Sequence, residues 1–78
     1  MSWNYRVVVE DLGEHGTAYS IREVYYDDDG KPRAWSGQDF NPVSMWEELD
    51  DLKGTVKLLQ GALDKPVLTV VGEKLVEP

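Results

Sequence analysis

The sequence predicts an α+β domain of two layers, an antiparallel four-stranded sheet in the order β-β-β-α-β packed on one long helix. Three observations predict it. The run Ser44 to Leu63 carries apolar residues at steps of three and four, the spacing of one helix face. Three strand-like segments precede it and one follows. The chain has 78 residues, enough for one domain with a small core, because a chain this short buries only ~60% of the surface its unfolded form exposes.

The first strand is placed at about 3–10. Trp3, Tyr5, Val7 and Val9 alternate with Asn4, Arg6, Val8 and Glu10, which marks a half-buried strand. Asp11 to Gly16 is turn material, with two glycines and acids between them. The second strand is placed at about 17–27. Its parity slips, since Tyr19 and Ile21 are odd-numbered and Val24 and Tyr26 even-numbered. A bulge near Arg22 and Glu23 would bring them to one face. Asp27-Asp28-Asp29-Gly30 reads as a hairpin loop in which Gly30 supplies the positive φ. The third strand, about 31–36, carries Pro32 at its start, where a missing donor is tolerated.

Ser36 to Val43 is a polar loop leading to the helix, placed at about 45–63. Ser44 followed by Glu47 has capping-box spacing, and Glu47, Glu48, Asp50 and Asp51 suit the positive end of the helix dipole. Pro66 stops the helix. Gly54 and Gly61 each cost roughly 1 kcal/mol relative to Ala. Either tertiary packing overrides that cost, or Gly54 marks a close approach or a break. Val67 to Val71 is the last strand, and the tail from Glu73 either packs through Leu75 and Val76 or frays. The predicted core is Tyr5, Val7, Val9, Tyr19, Ile21, Trp46, Leu49, Leu52, Val56, Leu59, Leu63, Leu68 and Val70.

Composition narrows the function. With 41% hydrophobic residues and three Trp, the chain is no disordered segment. There is no Cys, hence no disulfide framework, thiolate metal site or thiol nucleophile. Neither a signal-peptide run nor a stretch of ~20 apolar residues is present, so a cytoplasmic protein without a membrane role is expected. Fifteen acids against eight bases give a net charge of −7, and the bases stand singly along the chain. Direct nucleic-acid binding is therefore not expected, since it needs clustered basic residues. An acidic surface suits a basic protein partner, or serves solubility alone.

No constellation points to catalysis. Setting Gly30 at the sixth position of a calcium loop puts Tyr25 first and Ser36 twelfth, where acids are required. His15 is the only histidine and stands in a turn, which excludes ordinary zinc sets. Carboxylate pairs such as Glu47 and Asp51, or Glu10 and Glu14, would need a pocket to shift one pKa. No enzyme, metal or cofactor is expected. The aromatics Tyr25, Tyr26, Trp35 and Phe40 around the second hairpin, with Asp27, Asp28 and Asp29, form one candidate protein-contact surface. Glu47, Glu48 and Asp51 at the helix start form another. The rings could instead pair across the hairpin simply to stabilise it.

Two resemblances add to this. The segments WNYRVV, REVYYDDDGKPRAW and ALDKPVL, spanning Trp3 to Leu68, look like a family of short uncharacterised bacterial proteins. More loosely, YRVVVED, a helix carrying EEL and a final strand resemble HicB-type antitoxin domains, whose fold is a partial double-stranded-RNA-binding domain. The loop SGQDFNPVS lacks the glycine-rich, threonine-bearing helix entry of that family. The second resemblance implies neutralisation of a small toxic ribonuclease. The leading expectation is a small acidic protein-binding module, antitoxin-like or a phage-type inhibitor. The alternative is a structural homodimer.

Overall fold

The computed structural model describes residues 2–37 and 39–78; Gln38, within the predicted 36–43 loop, lies outside them. The chain runs β1 (Ser2–Asp11), a 3-10 turn (Gly13–His15), β2 (Thr17–Tyr26), β3 (Pro32–Trp35), α1 (Leu49–Ala62), β4 (Leu68–Val71) and β5 (Lys74–Val76). It is an α+β domain with one helix and a five-stranded mixed sheet in the order β3-β2-β1-β4-β5.

Two features depart from the expected four antiparallel strands. β4 pairs with β1 in parallel, Val8 opposite Leu68. The connectivity explains this. β2 and β3 each reverse direction, so β3 runs with β1. A single helix then carries the chain back to the end where β3 began, and the next strand runs the same way. The second departure is β5. The segment left open as a tail turns at Gly72 (φ 64°) and pairs with β4, placing Leu75 opposite Val70.

The β1–β2 ladder is continuous from Ser2↔Tyr26 to Asp11↔Thr17. The bulge expected near Arg22 is absent, and the register shift falls between Tyr25 and Tyr26 on the β3 side. The parity slip has another cause: both sheet faces are buried in part. On the inner face Val8, Val24, Tyr26, Leu68 and Leu75 form a cluster, with Trp35 and Val70 packed against it. The sheet curls around this cluster, and Cα atoms of the edge strands β3 and β5 come within 8 Å of each other. The outer face carries Trp3, Tyr5, Val7 and Val9 of β1, and α1 crosses it there. Tyr5 and Val7 are buried beneath the helix.

The helix is shorter and differently rotated than the spacing predicts. It begins at Leu49 with Glu48 extended at the cap position and no side-chain cap bond. Ser44 does not cap it. The approach to the helix is held as turns instead: Asn41 Oδ1 accepts from the Val43 amide (3.3 Å), the Trp46 indole donates to the Pro42 carbonyl (2.7 Å), and Met45 is left-handed (φ 66°). Thr55 and Ala62 are buried and Leu52 and Leu59 partly so, while Leu49, Leu63 and Trp46 are about half exposed or more. The apolar arc is wider than the sheet beneath it, so small residues take the closest approach and the outer leucines stay wet. Gly54 neither breaks the helix nor meets a neighbour; a Cβ there would find nothing within 4 Å. Tyr19, expected in the core, is 69% exposed, because the helix covers β1 and does not reach it.

Two arginines lie on the inner face. Arg6 and Arg22 are both buried. Arg6 donates to the Tyr26 hydroxyl (3.1 Å) and the Pro66 carbonyl (2.6 Å), and Tyr26 in turn donates to Asn4 Oδ1 (2.6 Å). Arg22 donates to Ser20 Oγ (2.9 Å), the Ser36 carbonyl (2.9 Å) and Glu10 Oε1 (3.0 Å).

Candidate protein-contact site

The continuous ladder assembles a block of side chains on the outer face of β1 and β2. Residues directly opposite one another share a face. Trp3 therefore stands beside Tyr25, and Tyr5 beside Glu23. The Trp3 and Tyr5 rings meet edge-on, with centroids 5.4 Å apart at 86°. Phe40, from the loop before the helix, lies near Tyr5, with ring centroids 6.0 Å apart and planes tilted by 32°. The Tyr25 hydroxyl donates to Glu23 Oε2 at 2.6 Å. Between this block and the helix lies a hollow of about 330 Å³ lined by Trp3, Asn4, Tyr5, Leu58 and Lys65.

Glu23 shapes the electrostatics. It is partly buried, and among the described residues no cation forms an ion pair with it. Burial first, then the Glu23 carboxylate, hold the Tyr5 phenol above its ordinary pKa. Tyr25 is raised too, chiefly by its hydrogen bond to Glu23, with desolvation and the charges of Glu23 and Tyr5 adding. The result is an aromatic cluster beside a carboxylate that has no ion-pair partner among the described residues.

The contact residues expected from the sequence divide in two. Tyr25 and Phe40 belong to this outer cluster. Tyr26 is buried at 8% exposure and Trp35 packs on the same inner cluster, so these two rings serve the core. Their even-face register with Val24 and the curl of β3 turn them inward. Asp27 organises the hairpin: its Oδ1 accepts from the amides of Asp29 (2.9 Å) and Lys31 (3.0 Å), and Gly30 takes φ 77° as the turn requires. Asp28 and Asp29 are exposed, as are Glu47, Glu48 and Asp51. Trp3, Tyr5 and Glu23 are the members that sequence reasoning missed. The signal was available: with no bulge, pairing across the Asp11–Thr17 turn puts all three beside Tyr25.

His15 is exposed in the 3-10 turn. Among the described residues no group of three or more His, Asp or Glu side chains is placed to hold a metal ion. No described helix is long and apolar enough to cross a membrane. Comparison with family models, with curated proteins and with solved structures finds no match, so the site stands on its geometry.

Proposed function

We propose that this chain is a non-enzymatic protein-binding module that docks on a basic surface, in the manner of an antitoxin-like or phage-type inhibitor of a nucleic-acid-binding protein. The observation that carries it is where the charges lie. Arg6 and Arg22 are buried inside the sheet, so two of the eight bases are withdrawn from the surface. Asp28, Asp29, Glu47, Glu48, Asp50 and Asp51 all remain exposed. Among the exposed residues twelve acids stand against six bases, and such an acidic field speeds and selects encounters with basic partners. The outer aromatic cluster adds the kind of anchor that dominates interface energetics.

Capture of partners from the native host at low and high salt tests this. The expected partner is released as salt rises, and is lost when Glu47, Glu48 and Asp51 are replaced by Gln, Gln and Asn. A partner held equally at both salt concentrations, or by the neutralised variant, defeats charge-led docking.

A second reading, a structural homodimer, is favoured by one observation. The outer side of the β4–β5 hairpin is uncovered, with Val67, Val71 and Val76 exposed, and Leu49, Val56 and Leu63 of the helix are exposed as well. Light scattering across concentration separates the readings: a dimer abolished by Val71→Lys would favour the second.

A further inference from the structure

We infer that the hollow beside Trp3 and Tyr5 takes an extended peptide of another protein, which pairs as an added strand with the open edge of β1 and points an acidic side chain at Lys65. This goes beyond charge-led docking, because the main chain does the recognising. β2 pairs with β1 along its whole length, but β4 pairs with it only at Val8 and Val9. Among the described residues, 2–7 therefore have no strand partner on their second side. The ladder fixes which groups face that gap. The Ser36 amide donates to the Glu23 carbonyl and the Glu23 amide to Ser36 Oγ, so the Glu23 main chain faces β3. Its neighbours Arg22 and Val24 then face β1, opposite Arg6 and Asn4. Main-chain direction alternates along a strand, so Trp3 and Tyr5 present their N–H and C=O groups to the gap.

The sequence explains why β4 does not fill the gap. In the register that sets Val8 opposite Leu68, residue 66 would have to donate to the Tyr5 carbonyl, and Pro66 has no N–H. The Pro66 carbonyl is taken by Arg6 (2.6 Å). The Asp64 and Lys65 amides donate to the Gly61 and Ala62 carbonyls at the helix end. Tyr5 is buried, where unpaired main-chain groups are costly. A row of free donors and acceptors is what an extended peptide completes. The hollow, lined by Trp3, Asn4, Tyr5, Leu58 and Lys65, is about 330 Å³, at the small end for a ligand site, which suits a short segment. Lys65 is the charged residue of that lining. Its Nζ makes one long bond, 3.4 Å to the Gly61 carbonyl, and no ion pair among the described residues, so donors remain for a carboxylate. β2 also outruns β3, at residues 17–21, and serves as an internal comparison.

The test uses the full chain labelled with nitrogen-15 and a blocked peptide, Thr-Val-Glu-Val-Thr. One control peptide carries Gln in place of Glu, and a second is N-methylated throughout so that it cannot pair. The expected result is saturable shifting of the Trp3 and Tyr5 amides with the glutamate peptide and none with the N-methylated one. The glutamine peptide should bind about threefold more weakly, the size of an exposed ion pair. Lys65→Gln should abolish that preference, with its melting curve checking the fold. No saturable shift at Trp3 and Tyr5, an equal response to the N-methylated peptide, equal binding of the two charge forms, or a response confined to residues 17–21 would each overturn the assignment. Concentration-dependent shifts at Trp3 and Tyr5 in the chain alone, with a doubled mass in light scattering, would put a second copy on this edge and overturn it as well. Salt-sensitive capture of a partner tests the docking reading separately, and that reading stands if only the peptide fails.

Discussion

Arg6 and Arg22 face each other directly across β1 and β2, two buried guanidinium groups on neighbouring strands. Like charges in that position repel, and both must be compensated locally. Arg22 has Glu10 at 3.0 Å, whereas the acid nearest Arg6 is the half-exposed Glu77 at 3.8 Å. Arg6 depends instead on neutral acceptors, and its Nε is buried with no hydrogen-bond partner. The expected ranking in chemical denaturation follows from this. Arg6→Met takes donors from the Pro66 carbonyl and the Tyr26 hydroxyl but also removes the charge facing Arg22, and with Pro66 exposed it should destabilise by about 1 kcal/mol. Glu10→Gln leaves Arg22 charged and buried, at about 1–2 kcal/mol because Glu10 is partly solvated. Glu77→Gln should fall within ~0.5 kcal/mol. Finding Glu77→Gln as damaging as Arg6→Met would show that the tail ion pair, and not the carbonyl, holds Arg6.

The helix start gives a second prediction. Glu48 sits at the cap position without a side-chain bond, and Ser44 lies outside the helix. Ser44→Ala should therefore leave stability unchanged, where a working capping residue would lose about 1 kcal/mol. Gly54→Ala should gain roughly 0.5–1 kcal/mol, because the position is helical and open and the glycine contributes only unfolded-state freedom. Thermal denaturation of the two variants checks both. A loss in Ser44→Ala would mean that the capping box forms in solution.

The hydrophobic pattern located one helix, the first two hairpins and four of the five strands, because periodicity reports which segments are amphipathic. It could not report how far the sheet extends under the helix. Leu49, Val56 and Leu63 have the right spacing and stay exposed, while Thr55 and Ala62 lie deepest. The even face of β1, read as solvent-facing, is inner core, because β4 and β5 fold around it and Leu68 and Leu75 cover Val8. That closure depends on a three-residue strand, Lys74–Val76, too short to carry a pattern. The candidate site was half legible: Tyr25 and Phe40 were found, but assuming a bulge in β2 broke the register that brings Trp3, Tyr5 and Glu23 beside them.

Helix rotation can be tested directly. Ala62 is fully buried against the sheet, so Ala62→Leu should overpack it and destabilise by about 1–3 kcal/mol. Leu63→Ala, at 66% exposure, should change stability by less than ~0.5 kcal/mol. Urea denaturation of the pair decides it. The reverse ranking would return the helix to the face built on Leu49, Val56 and Leu63.

The outer cluster makes a pH prediction. Tyr5 and Tyr25 are both held above the ordinary phenol pKa. The folded chain therefore keeps protons that the unfolded chain releases. This contribution to stability is fully present below about pH 10 and is lost as pH rises from there through the folded values. Glu23 is the leading cause for Tyr25, through their hydrogen bond, and only the second cause for Tyr5, behind burial. In Glu23→Gln, Tyr25 should return toward ordinary titration while Tyr5 stays late, and the alkaline loss of stability should become shallower. Phenolate absorbance, with Tyr5→Phe and Tyr25→Phe to assign the two among the four tyrosines, measures this. An unchanged titration in Glu23→Gln would mean that the carboxylate does not sit against these rings, and the negative centre of the cluster would be lost with it.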